Sequence, residues 1–255
     1  MRKESFLLIG TAVVGGAFGF FVRWLQLSTA FEPTTGLTRG GAAASRILIA
    51  LCIVVAAVQL LYTLRARDRL PEAPGPEFFE GGSAVYRFFC AAMGLLTAVG
   101  GVLLLIGAVR GSGGALAFFL ALLAAFAGLC MTALSLSATA GVPMRCLCCT
   151  APVLFLCFWM IVTYKENASN PAIWSFCMRI LAIAANALGW FYLAGLAYGK
   201  PKSAALYFFC QLAPFLSILC LADSVSLGTK LALLCPSLLL LAAAARLPGE
   251  RKENE

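Results

Sequence analysis

Apolar stretches recur along this chain at the length of a membrane crossing, and that one feature leaves few folds open to it. Eight such runs lie at 5–25, 46–64, 87–109, 115–137, 146–163, 172–197, 203–222 and 229–245. An α-helix rises about 1.5 Å per residue, so roughly 20 apolar residues cover the hydrocarbon core of a bilayer. In lipid every backbone N–H and C=O must find a partner within the protein, which leaves only helices and closed barrels. A barrel would show alternating segments of about ten residues, and that pattern is not seen. The sequence therefore predicts an all-α polytopic transmembrane bundle, a single integral membrane domain over 1–255 with its longest inner loop at 65–86. The last run is short and holds Pro236, so a seven-span chain is the rival arrangement.

Charge supports the same class. Only 12% of the residues are charged, where a soluble domain carries about 25%. The first run begins like a signal peptide, but it continues to Val22 and then meets Arg23 and Trp24 without a small-residue cleavage site. It reads as a retained helix. With the N-terminus inside, 12 of the 19 basic residues fall on the inner side, 6 on the outer side, and Arg179 in the membrane. That bias orients the chain with both termini in the cytoplasm, which requires an even number of spans. The net charge of +8 is thus a topology signal. No basic and aromatic patch stands outside the spans to bind nucleic acid.

Arg179 is the sharpest functional hint, because a charge inside an apolar run is costly and by default marks a site. Asn170 and Pro171 suit a helix N-cap and first position, which would put Arg179 eight residues in. The expected site is an outward-facing cavity for an anionic small molecule or a lipid headgroup. Arg179 and Arg46 would supply its positive field, with Arg23 nearby in depth, and Asp223 is the expected counter-ion, with Glu32 and Glu166 as alternatives. Asn186, two turns beyond Arg179, and Gln211 are deep polar residues that complete the candidate set. Each has a plainer reading: snorkelling for the arginine, hydrogen bonds between helices for the amides.

Eleven cysteines and no histidine remove the usual general base and the mixed zinc site. No lysine lies mid-span to hold retinal, and no phosphate-binding loop is present to drive a pump. No acid, base and nucleophile can be assembled, so no catalytic residue, metal or cofactor is expected. Cys146, Cys148 and Cys149 follow Arg145; they suit a soft metal or acylation, or plain small residues at a helix start. Gly15 and Gly19, and Gly195 and Gly199, have the spacing that lets membrane helices approach closely.

Two short strings occur twice in the same order: Arg46-Ile-Leu48 and Arg179-Ile-Leu181, then Phe88-Phe-Cys90 and Phe208-Phe-Cys210. They raise the expectation of two parallel four-helix repeats, 1–137 and 138–245. The stretch WLQLSTAFEPTTGL from Trp24 to Leu37, followed by an apolar span, resembles small multi-pass membrane proteins of Gram-positive gut bacteria. The resemblance implies a bacterial plasma membrane and no particular activity. Two functions follow from the residues: a small secondary transporter or binding protein for an anion or lipid headgroup, or a non-catalytic accessory or scaffold subunit for a membrane-protein partner. A lipid-directed enzyme is the weakest alternative.

Overall fold

The computed structural model describes residues 3–32, 37–39, 42–67, 70, 77–80, 82–111, 114–136, 141–169 and 171–250. Among them are the helices α1 (Lys3–Thr29), α2 (Ala43–Ala66), α3 (Glu77–Glu80), α4 (Ala84–Arg110), α5 (Ala115–Leu136), α6 (Val142–Glu166), α7 (Cys177–Ala197), α8 (Ser203–Leu219) and α9 (Leu227–Glu250). Eight of these, all but α3, are long and apolar enough to cross a membrane. The chain is an all-α, multi-pass integral membrane protein. The last run is not too short: α9 continues through Pro236 as one helix, long and apolar enough to cross. Proline is tolerated there because surrounding helices re-satisfy the backbone group it frees.

Helices α4 to α9 form a closed ring in which each packs on the next and α9 returns to α4. On the outside of the ring α1 lies against α8, and α2 lies mainly against α1. Only 17% of the crossing part of α2 is buried, against 61% in α8 and α9, so α2 is the peripheral helix. Polar bonds help to hold it. Gln59 Nε2 donates to the Gln211 carbonyl at 3.3 Å and Gln211 Nε2 to Thr63 Oγ1 at 3.4 Å. Such bonds between membrane helices contribute about 0.6–2 kcal/mol each.

The tightest approach joins α4 and α5. A Cβ added at Gly101 or Gly128 would collide with the backbone nitrogen of Ala125 or Ala98, and one at Gly94 would stand 2.6 Å from that of Thr132. Without a hydrophobic force between helices in lipid, such backbone proximity is a main source of attraction. Gly15 and Gly19 do face α8, through Phe215 and Leu219. Gly195 and Gly199 do not join helices. Gly199 has φ of 71° and ends α7, where the Lys200 N–H returns to the Gly195 carbonyl at 2.8 Å, as in a glycine-terminated helix end.

The duplicated strings sit at comparable places, Arg46 and Arg179 in the first turns of α2 and α7, Phe88 and Phe208 in the second turns of α4 and α8. Packing differs between the halves, however: α7 packs on α8, whereas α2 turns to α1 and α8 rather than to α4. The 65–86 connection also departs from a purely solvated loop, since its Leu70 and Phe78 are buried.

The α4–α5 contact makes a direct prediction. Gly128→Ala should lower stability by about 1–3 kcal/mol through backbone overlap. Gly107→Ala, with open space around it, should change it by no more than about 0.5 kcal/mol. Thermal unfolding in one detergent compares the two.

Candidate functional site

Arg23 lies within α1, which continues six residues beyond it to Thr29, about 9 Å at helical rise. Its side chain is fully buried. Nε donates to Asp223 Oδ1 at 2.9 Å and Nη1 donates to Gln26 Oε1 at 2.7 Å. Nη1 also donates to the Trp174 carbonyl at 3.0 Å, and Nη2 to that of Ser175 at 3.1 Å. These contacts engage four of the five N–H groups of a guanidinium. Gln26 Nε2 then donates to Ser45 Oγ at 2.9 Å. One arginine thus connects α1, α2, the segment entering α7 and the α8–α9 connection.

Among the three candidate arginines Asp223 thus pairs with Arg23, and no ion pair joins it to Arg179 among the described residues. The reason is the late start of α7. Pro171 does not open the helix; the chain first makes a 3-10 turn, Ile173–Ser175, and α7 begins at Cys177. Arg179 therefore sits in the first turn and is half-buried rather than eight residues deep. The proposed N-cap, Asn170, lies outside the described residues. The turn also frees the Trp174 and Ser175 carbonyls that Arg23 uses.

Arg46 is exposed in the first turn of α2, and the alternatives Glu32 and Glu166 are exposed as well. Asn186 is fully buried and donates from Nδ2 to the Ala182 carbonyl at 2.9 Å and to Ser217 Oγ at 3.0 Å, bridging α7 to α8. Gln211 bridges α8 to α2. Arg179 Nε and Asp223 Oδ2 are enclosed without a hydrogen-bond partner among the described residues. The cysteines after Arg145 face different neighbours: Cys146 Sγ approaches the Ala197 carbonyl at 3.5 Å, while Cys148 packs on Cys130 and Ala151. Among the described residues no three metal-binding side chains converge.

At the other end of the bundle is a pocket that sequence reasoning missed. Ser83 caps α4 by accepting the Tyr86 N–H at 3.2 Å, which places Tyr86 and Arg87 in its first turn. Arg87 donates from Nε to the Ser135 carbonyl at 3.3 Å and from Nη2 to that of Leu136 at 2.6 Å. It thereby satisfies carbonyls that the end of α5 leaves open. From α9, the Arg246 guanidinium lies 4.6 Å from the centre of the Tyr86 ring and 5.3 Å from that of Phe78, within cation–π range. Gly82, with φ of 131°, brings the chain against Tyr86 and Arg246 where a Cβ would not fit. The cavity measures about 40 Å³ and is lined by Phe78, Phe79, Tyr86, Arg87, Cys90, Leu134, Ser135, Leu193, Leu239, Ala243 and Arg246.

No known protein family, curated protein or solved structure matches the chain. The chemistry of the pocket is its own guide: two guanidinium groups, a phenol and a serine above an apolar floor. Planar guanidinium forks favour carboxylate and phosphate oxygens. Arg87 and Arg246 had counted only as charges that orient the chain. The signals that would have found the pocket are a Phe78-Phe79 pair in a polar loop and an arginine still inside the helical pattern of α9.

The Arg23 cluster predicts a large stability effect. Asp223→Asn leaves a buried guanidinium without its carboxylate and should lower unfolding stability by about 3–5 kcal/mol. The double variant Arg23→Met, Asp223→Leu should regain most of that loss, and Arg179→Gln should cost less than Asp223→Asn. Unfolding midpoints of the four proteins in detergent measure the coupling.

Proposed function

We propose that this integral membrane protein is a non-catalytic binding protein for an anionic ligand, held at Arg87 and Arg246 rather than by the arginines of the opposite end. The observation that carries this reading is a cavity lined by two arginines. Arg87 has no carboxylate partner among the described residues, and its Nη1 makes no hydrogen bond there. Arg23, by contrast, is enclosed and its charge is opposed by Asp223. A second reading, an accessory subunit of a membrane complex, is favoured by the polar bonds that tie helices together at Arg23, Asn186 and Gln211.

A thermal-unfolding screen of the detergent-purified protein against anions, nucleotides, amino acids and lipids separates the two. A ligand at 100 times its Kd stabilises by about 2.7 kcal/mol. The binding reading expects an anion to raise the midpoint of the wild type but not of Arg246→Gln. If no class of compound shifts the wild type, the accessory reading stands. Flux of the identified anion into proteoliposomes then distinguishes a transporter from a binding protein.

The proposal includes an orientation: a bacterial plasma membrane, both termini in the cytoplasm, and the pocket on the cytoplasmic side. The excess of Lys and Arg on that side supports it. Reporter domains fused after Lys165 and after Lys202 should read out on opposite sides, with the Lys202 fusion cytoplasmic.

A further inference from the structure

We infer that the contact between α2 and α8 binds one small guest inside the membrane, a water molecule or a monovalent cation, through the side-chain oxygens of Gln59 and Gln211. This site is separate from the anion pocket and does not depend on it. Both glutamines are fully buried, and Gln59 Oε1 and Gln211 Oε1 are enclosed without a hydrogen-bond partner among the described residues. Buried acceptors without a partner are rare in native structures, and a water or an ion is a common reason for them. No protein donor remains for either oxygen. Thr63 Oγ1 commits its one hydrogen to the Gln59 carbonyl at 2.8 Å. Gln211 Nε2 directs its two to the Tyr207 carbonyl at 3.0 Å and to Thr63 Oγ1 at 3.4 Å. Gln59 Nε2 donates to the Gln211 carbonyl at 3.3 Å, and its second hydrogen reaches neither oxygen. Turning either amide round would set its oxygen against a backbone carbonyl oxygen, so these contacts fix which atom of each amide is the acceptor.

The backbone adds to the surplus of acceptors. Pro214 lies three residues beyond Gln211, on the same side of α8, and has no N–H to give the Cys210 carbonyl. Oxygens in excess of hydrogens attract a guest that turns a positive side towards them. Water does so with its two hydrogens, and an ion such as Na+ does so with its charge. Proline-freed carbonyls and neutral side-chain oxygens are the ligands that membrane helices offer to such ions. Neither α2 nor α8 carries an Asp or Glu, so the carboxylates that a divalent ion asks for are missing. An anion would be repelled. Room for the guest comes from α2, the least buried of the crossing helices, which can yield towards lipid without disturbing the ring.

Two measurements on the full chain test the site. Unfolding midpoints in detergent are compared in sodium, potassium and choline chloride at equal ionic strength, for the wild type, Gln211→Met and Gly107→Ala. Solid-state NMR of the wild type in lipid, labelled at glutamine, measures magnetisation transfer from water to each side-chain amide and needs no variant to fold. The chain has three glutamines, and the third is an internal reference: Gln26 is equally buried but bonded at both ends. With a cation as guest, sodium or potassium chloride should raise the midpoint of the wild type and of Gly107→Ala above that in choline chloride, and Gln211→Met should lose the difference. With water as guest, the three salts should give equal midpoints, and transfer to Gln59 and Gln211 should be stronger than to Gln26. The site does not exist if no salt effect depends on Gln211 and water transfer to Gln59 and Gln211 is no stronger than to Gln26.

Discussion

A guanidinium group enclosed among membrane helices is stable only where oxygen atoms surround it, and the Arg23–Asp223 contact meets that requirement. The 2.9 Å ion pair is extended by Gln26 and two backbone carbonyls. Removing water from both charges is expensive, so such a pair is favourable only when its remaining donors are also occupied. Meeting that condition sets much of the architecture at this end of the bundle. It holds α1 on α8, explains why the chain makes a 3-10 turn before α7, and links α2 through Ser45. The arrangement depends on the carboxylate, because removing it turns a paired guanidinium into a buried, unopposed positive charge.

The two ends of the protein use arginine differently. At one end a single residue is neutralised and enclosed. At the other, Arg87 closes off the carbonyl end of α5 and Arg246 lies between two aromatic rings, and both line a cavity. The ring of α4 to α9 connects them, closed by α4–α5 and α4–α9 contacts that glycine makes close. Gly100 of α4 and Gly228 of α9 stand near enough that a Cβ on Gly100 would lie 3.0 Å from the Gly228 carbonyl oxygen. Packing of this kind fixes where the first turn of α4 and the last turns of α9 meet, and so fixes the pocket.

How much of this was legible in the sequence depends on the range of the interaction. The eight spans were legible because apolar length is a local property of each run. The helix-facing roles of Gly15 and Gly19 were readable for the same reason. The partner of Asp223 was not, since it depends on where α7 begins, and the Asn170-Pro171 start was a reasonable local reading that the tertiary contacts of Trp174 and Ser175 displace. Arg23 looked like the edge of a span because aromatic and polar residues follow it; nothing local reveals that α1 continues to Thr29 with the arginine facing inward. The pocket joins residues from four separate helices and a short helix in a loop, which no single window of sequence can display.

Arg23 and Asp223 are 200 residues apart in the chain. At a synthesis rate of about 5–20 residues per second, the first helix is made some 10–40 s before its carboxylate partner exists. An arginine within a crossing helix disfavours insertion, less so near a helix end than at its centre, so during that interval α1 depends on the insertion machinery, on the headgroups or on its neighbour α2. Helix α1 thus takes its final place only after α8 and the segment that follows it have been made.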